Sequence, residues 1–438
     1  MSVKLKQLML IAGDIAIFYL SLYLTLTLRY GGLTEEIQKG HLVPFTILLG
    51  FALFIFYIAG FYEVRILKND AEFGKRFSIA LLIDFLIAIG LFYFIPIFGI
   101  APKTNLFIFF IIMSAASYLW RTWYNNLLSA GSPGKKMLIV GHNRVTEEIV
   151  EHITENPQLG YELSFWMKEG LRDKDFRHLS SVIQSHHINL IVVPAHLKKN
   201  SSVARTIYRN LVLGIEVVDL AELYETLFGK VPLSELEEVW FLENLAKSHP
   251  IHDAIKRPLE LSFAALLGTL ALPLAIIIVL SIKLTSPGSA FFTQVRVGKN
   301  DTRFILWKFR TMVENAEASG PKWSKPKDKR VTPVGKILRR THLDELPQLW
   351  NIFRGEFSLV GPRPERPEFT EPLEKEIPYY ALRHLVSPGL TGWAQVNYRY
   401  GSSLDDAYEK LQYDIYYLKH RNFLLDLGIL AKTLKHLF

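Results

Sequence analysis

The stretch LELSFAALLGTLALPLAIIIVLSIKL, residues 259–284, decides how this chain is read. Between Leu261 and Ile282 no side chain is charged, so the segment is long enough to cross a bilayer. Lys256 and Arg257 precede it and Lys283 follows it. Cationic flanks favour the cytoplasmic side, so basic residues at both ends point to a segment that enters the membrane, turns and leaves by the same face. Pro273 sits in the middle, where a ring that lacks a backbone donor bends a helix and suits the turn. The alternative is an ordinary spanning helix with a proline kink. A hairpin of this kind would hold a cytoplasmic domain against a lipid substrate.

The composition agrees with a membrane setting. The chain has 438 residues, enough for two or three domains, and 50% of them are hydrophobic. The apolar excess lies mostly in the first 130 residues. Four apolar segments come first, at about 8–28, 43–62, 77–98 and 105–124. Lys4 and Lys6 precede them, Arg65, Lys68, Lys75 and Arg76 fill the central loop, and Arg121, Lys135 and Lys136 close the bundle. Both ends of the bundle are therefore expected in the cytoplasm. The first apolar run is too long for a cleavable signal and has no cleavage site. Asp14 and Asp84 fall within spans; intramembrane acids invite a functional reading, but structural pairing is preferred because a transport path would show more polar groups. There is no cysteine, which excludes disulfides, thiolate zinc sites and cysteine nucleophiles. The net charge of +8 suits an anionic partner. With no zinc-finger or RNA-binding signature, phospholipid headgroups and nucleotide phosphates are preferred to nucleic acid.

After a linker at 129–136 (SAGSPGKK), MLIVG at 137–141 reads as a buried strand and VTEEIVEHI as an amphipathic helix. INLIVVP at 188–194 and GIEVVDL at 214–220 repeat the strand pattern. The alternation predicts a small doubly wound parallel sheet, a Rossmann-like α/β domain over 129–250. Dinucleotide binding would need glycines that let the backbone approach pyrophosphate. Asn143 and Thr146 stand where the second and third would be, so a structural or regulatory role is preferred.

From Ile255 onward the chain is dense in Arg, Gly, Pro and aromatics, as loops that form sites are. Asp344 and Glu345 precede Pro347, which is tolerated only in a first helical turn, so the two acids are placed at a helix start. Backbone donors there favour anions, including phosphate. Adjacent carboxylates could divide labour, one attacking phosphorus and the other holding Mg²⁺; equally, both could be helix-start acids that meet the dipole. Arg296, Lys308, Arg310 and Arg363 supply the cations that phosphoryl transfer needs. Arg363 lies between prolines in GPRP, a stiff setting for a bidentate donor. Headgroup contact or solvation is the reading preferred for Arg339 and Arg340, and stays open for Lys308 and Arg310.

KRPLE, FTQVRVG, KFRTM, LDELPQLWN, SLVGPRP and PGLTGWAQVN occur in the order found in the bacterial polyprenyl-phosphate hexose-1-phosphate transferases. The chain resembles that family over about 185 residues from Ile255, and its four spans and middle domain resemble the large subgroup. The resemblance implies a four-helix transmembrane bundle over 1–128, the α/β domain over 129–250, and a mostly helical cytoplasmic catalytic domain over 251–438 with a re-entrant helix at about 259–284, broken at Pro273. It implies an enzyme of the bacterial inner membrane that starts exopolysaccharide, capsule or O-antigen repeats. Asp344 would attack the β-phosphorus of a UDP-sugar, releasing UMP, and undecaprenyl phosphate would then take the phosphosugar. Glu345 would ligate Mg²⁺. The substrate-binding set would be Arg296, Lys308, Arg310, Gln348 and Arg363, and a homodimer stays open. The chain departs from the small family members in having Leu272–Pro273 at the break and Glu260 in place of an Asp. Two rivals are weighed. A nucleotide-sugar dehydratase would need a Tyr-x-x-x-Lys pair and a glycine-rich loop, and the sequence has neither. A non-enzymatic scaffold for polysaccharide assembly would need neither Asp344 nor Mg²⁺.

Overall fold

In the computed structural model, residues 3–32, 34–63, 69, 71–94, 103–130, 134–168, 179–198, 201–211, 214–245, 249–314, 316, 328, 330–398, 401 and 403–437 are described. They form two compact units, Met1–Leu223 and Tyr224–Phe438.

The first unit begins with four long helices: α1 (Val3–Tyr30), α2 (Glu35–Ile58), α3 (Ala71–Phe94) and α4 (Lys103–Ala130). Each is long and apolar enough to cross a membrane. Their shared core is aromatic, with Phe109 edge-on to both Phe18 (4.9 Å) and Phe45 (5.0 Å). α2 starts earlier than its apolar run because Thr34 accepts from the Ile37 N–H and Glu35 and Glu36 fill the first turn. Arg65 and Lys68 of the expected basic loop lie outside the described residues, whereas Lys75 and Arg76 fall inside α3. Asp14 is paired, as the structural reading expects. It accepts from Arg121 and, at 2.8 Å, from the Tyr62 hydroxyl. Both carboxylate oxygens of Asp84 are buried without a hydrogen-bond partner among the described residues.

The chain then alternates: β1 (Lys135–Val140), α5 (Arg144–Glu155), β2 (Tyr161–Met167), α6 (Leu179–Ser185), β3 (Leu190–Val193), α7 (Ala195–Lys198), α8 (Ser201–Asn210) and β4 (Glu216–Asp219). The strands form one parallel sheet in the order β2-β1-β3-β4. β1 and β3 are central and read as unbroken apolar runs because both faces are covered. β2 escaped the sequence reading. It is an edge strand in which Glu162 and Ser164 interrupt the apolar residues and most positions are half-buried. Asn143 and Thr146 cap α5 reciprocally. Asn143 Oδ1 accepts from the Thr146 N–H at 2.9 Å, and Thr146 Oγ1 accepts from the Asn143 N–H at 2.9 Å.

α9 (Leu220–Phe228) leads into the second unit. Residues 224–245, assigned by sequence to the middle domain, fall in this unit, and Val231, Leu233 and Phe241 join its core. α10 (Glu238–Leu245) is followed by α11 (Pro250–Thr285), which holds Pro258 and Pro273 within one helix. Then come the antiparallel hairpin β5 (Phe291–Val297) and β6 (Arg303–Phe309), α12 (Pro333–Thr341), α13 (Gln348–Arg354), β7 (Ser358–Val360), α14 (Pro367–Glu376), β8 (Gly389–Thr391), α15 (Trp393–Asn397), α16 (Leu404–His420) and α17 (Phe423–Leu437). The glycines of SLVGPRP and PGLTG let two loops interlock. Gly361 N–H donates to Thr391 O at 2.8 Å and Gly389 N–H to Pro362 O at 2.9 Å, and a Cβ on either glycine would collide with the opposite backbone.

Candidate active site

Asp344 and Glu345 lie in a single 3₁₀ turn, Leu343–Glu345, between α12 and α13. The sequence places them at a helix start; the regular helix begins later, at Gln348, with Pro347 as its N-cap rather than in its first turn. The turn is set by His342, which caps α12 in the left-handed region at φ 55° and accepts from the Glu345 N–H at 3.1 Å. Leu343 and Leu346 anchor it in an apolar cluster with Ile278, Ile282, Phe309 and Leu338. Asp344 is thereby buried to 8% exposure.

The two carboxyls sit in different fields. Burial pushes Asp344 above its ordinary value, aided by the neighbouring Glu345 charge and opposed by Lys308 and Arg339. Burial also works against Glu345, but the cations prevail. Lys308 Nζ donates to its Oε1 at 2.7 Å and Arg363 stands 3.6 Å away, holding it down at about 2. Lys308 reaches the turn from the end of β6.

The other expected residues are distributed around this turn. Gln348 opens α13 and is 3% exposed. Arg296 donates to Pro364 O at 2.9 Å, bracing the loop that carries Arg363. Arg310 is turned elsewhere: its guanidinium donates to Ser286 O (3.0 Å), Ser286 Oγ (2.8 Å) and Pro287 O (2.5 Å), satisfying carbonyls where α11 ends. Pro273 lies within α11.

Two contributors escaped the sequence reading. Arg339, read there as a headgroup contact, donates through Nε to Thr311 Oγ1 at 2.9 Å and is close enough to act on Asp344. Gly335 permits this, since a Cβ there would collide with the Thr311 carbonyl. The signal available in the sequence was the helical spacing of Val334 and Leu338, which puts Arg339 beside the apolar side of α12. Asn351, fully buried, donates to Ile305 O at 2.7 Å and accepts from the Trp307 N–H at 3.1 Å. It fixes α13 against the strand that delivers Lys308. A separate cluster, Asp301, Glu374 and His384, gathers at the turn of the β5–β6 hairpin, the end opposite Lys308.

Asp344 and Glu345 offer hard oxygen ligands, the donor type Mg²⁺ takes when one or two carboxylates share it with substrate phosphates. A buried carboxylate of raised basicity beside a clamped anion and several cations is suited to attack on a phosphoryl group.

Residues 251–438 match the family described as bacterial sugar transferase. The chain is 40% identical over 231 residues to the UDP-N-acetylgalactosamine-undecaprenyl-phosphate N-acetylgalactosaminephosphotransferase of Aeromonas hydrophila, a match covering 53% of this chain and 54% of that protein. It is 28% identical over 345 residues to the UDP-glucose:undecaprenyl-phosphate glucose-1-phosphate transferase of Xanthomonas campestris, covering 73% of this chain and 70% of that one. Against the protein of the same description from Caulobacter vibrioides, identity is 41% over 189 residues, 42% of this chain and 70% of the relative. The chain thus spans about half the length of the first relative and over two thirds of the other two. With the site, its supporting strands and both interlocked loops all inside the matched residues, the chain belongs to the bacterial sugar transferase family.

Proposed function

We propose that this protein transfers a sugar 1-phosphate from a UDP-sugar to undecaprenyl phosphate, starting assembly of a surface polysaccharide repeat. The observation that carries the reading is the opposed state of the two acids: Asp344 buried and more basic than usual, Glu345 clamped as an anion by Lys308 and Arg363. In the first half-reaction an Asp344 carboxylate oxygen bonds to the β-phosphorus. The bond from that phosphorus to the bridging oxygen breaks, and UMP leaves with the electron pair. In the second, a phosphate oxygen of undecaprenyl phosphate bonds to the same phosphorus. The aspartyl–phosphorus bond breaks, restoring the carboxylate and releasing the sugar diphospholipid. Lys308, Arg339 and Arg363 neutralise charge on the phosphoryl oxygens. Glu345 would hold Mg²⁺, which when bound would add charge neutralisation on the donor diphosphate.

The same reading makes α11 re-entrant and the catalytic unit cytoplasmic, on the inner membrane. Its support is that both ends of α11 pack on one domain. Arg257 donates to Ile352 O at 2.6 Å, while Ile278 and Ile282 share a cluster with Leu343 and Leu346. A straight helix would carry positions 257 and 278 about 31 Å apart, whereas Leu346 to Ile352 spans about 9 Å at helical rise. A bend at Pro273 would shorten that separation. The middle domain is read as Rossmann-like in strand order, with a structural or regulatory role.

The test is UMP release from a panel of UDP-hexoses by the full chain in detergent, with and without undecaprenyl phosphate. Multiple turnover that depends on both substrates is expected. No release with any donor would overturn the proposal and favour a scaffold.

A further inference from the structure

β7 is held along its whole length by the face of α11 that carries His252, Lys256 and Glu260, four residues apart. The Lys256 ammonium donates to Val360 O at 2.7 Å and to the Tyr417 hydroxyl at 2.9 Å, and lies 3.0 Å from Asp426 Oδ2. Glu260 accepts from the Leu359 N–H at 2.9 Å and from the Ser358 hydroxyl. Tyr417 in turn donates to Asp426 Oδ1 at 2.8 Å, and His252 Nε2 stands 3.0 Å from Asp426 Oδ2. All of these side chains are buried or nearly so. Replacing a buried ion pair by aliphatic residues of similar volume is often neutral for stability, so a buried charge network of this kind is better explained by the geometry it fixes.

What that geometry fixes is the chain three residues on. Val360 leads into Gly361 and Pro362, which interlock with β8, and then into Arg363. Pro362 and Pro364 leave the segment little freedom, and Arg383 donates to Arg363 O at 3.0 Å. A shift of Val360 O is therefore passed on to the Arg363 backbone, from which the guanidinium reaches Glu345 at 3.6 Å.

We infer that Lys256, at the root of the membrane helix, is a positioning residue for Arg363, holding its guanidinium where the donor phosphates bind. The inference rests on the proposed role of Arg363 in the transfer reaction. It ties the seating of α11 to donor recognition: Lys256 touches no substrate, and acts through β7 and the interlocked loops.

The experiment is a double-mutant cycle on the full chain in nanodiscs, reading kcat and KM for the UDP-sugar. Lys256→Met is expected to raise KM and lower kcat/KM about 10- to 100-fold, the scale of a misplaced positioning group. Lys256→Arg, which keeps the charge, should recover part of the loss. In an Arg363→Gln background, Lys256→Met should cost little more, because the two substitutions disable one device. Losses that multiply in the double variant, or wild-type kcat/KM in Lys256→Met, would overturn the inference. If Lys256→Met does not fold, Tyr417→Phe carries the same cycle by removing one hydroxyl from the network, and additivity there is equally fatal. Failure of the underlying reading looks different: the wild type releases no UMP, or Arg363→Gln is as active as wild type.

Discussion

Replacing Asp344 by Asn keeps the side chain's shape and removes its charge. The proposed chemistry predicts that the variant forms no phosphosugar adduct with a UDP-sugar, read by intact mass, and loses turnover by about 1,000-fold or more, since an amide is a poor nucleophile. The same substitution should raise the melting temperature at pH 7. A carboxyl whose folded value is raised is an ionised liability above that value, so its stabilising contribution is complete below the ordinary 3.8 and lost as pH rises through the folded value. The gain from Asn should therefore vanish on acidification below 3.8. Glu345 runs the other way: its contribution is present above 4.5 and lost as pH falls towards about 2. The acid limb of the UMP burst should then report Asp344 and lie above 3.8. A limb near 2 would assign the titrating group to Glu345 instead.

At the scale of the element, α12 places two adjacent arginines in different surroundings. Arg339 bonds Thr311 and acts on Asp344, whereas Arg340 is exposed. Arg339→Ala should lower kcat/KM by about 10- to 100-fold and Arg340→Ala by less than about twofold, on the usual worth of one charged contact to a transition state. Equal losses would place both at the headgroups. α11 offers a sharper test. The chain has no cysteine, so Glu243→Cys and Asn300→Cys can be labelled singly. Both should react with an impermeant maleimide only from the cytoplasmic side. Replacing Pro273 by Leu restores a backbone donor and should favour a straight span. Periplasmic labelling of Asn300→Cys in the otherwise unchanged protein would sink the re-entrant reading.

For the whole molecule, the middle domain is predicted to bind no NAD. Two of the donors at the start of α5, the Asn143 and Thr146 N–H groups, are engaged by the reciprocal cap, and Asn143 and Thr146 stand where glycines would let pyrophosphate approach. Titrating NAD into the full chain by calorimetry should give no saturable heat. Clear saturation would assign the sheet a cofactor.

The sequence by itself determined whatever rests on local pattern. The spans are predominantly apolar runs of bilayer length, β1 and β3 carry apolar runs between turn signals, and LDELPQ announces the acid pair, because hydrophobic burial and proline constraints act on neighbours in the chain. Only the tertiary structure decided which cation serves which carboxyl. Lys308, Arg339 and Arg363 come from a strand, a helix and a loop, and meet at Asp344 and Glu345 because hairpin, turn and interlocked glycines pack together. The same packing turned Arg310, left open by the sequence, to the exit of α11, and brought Arg339, read there as a headgroup contact, to the acid pair. Charge is a property of a residue, but the field at a carboxyl is a sum over distances, and those distances are set by the fold.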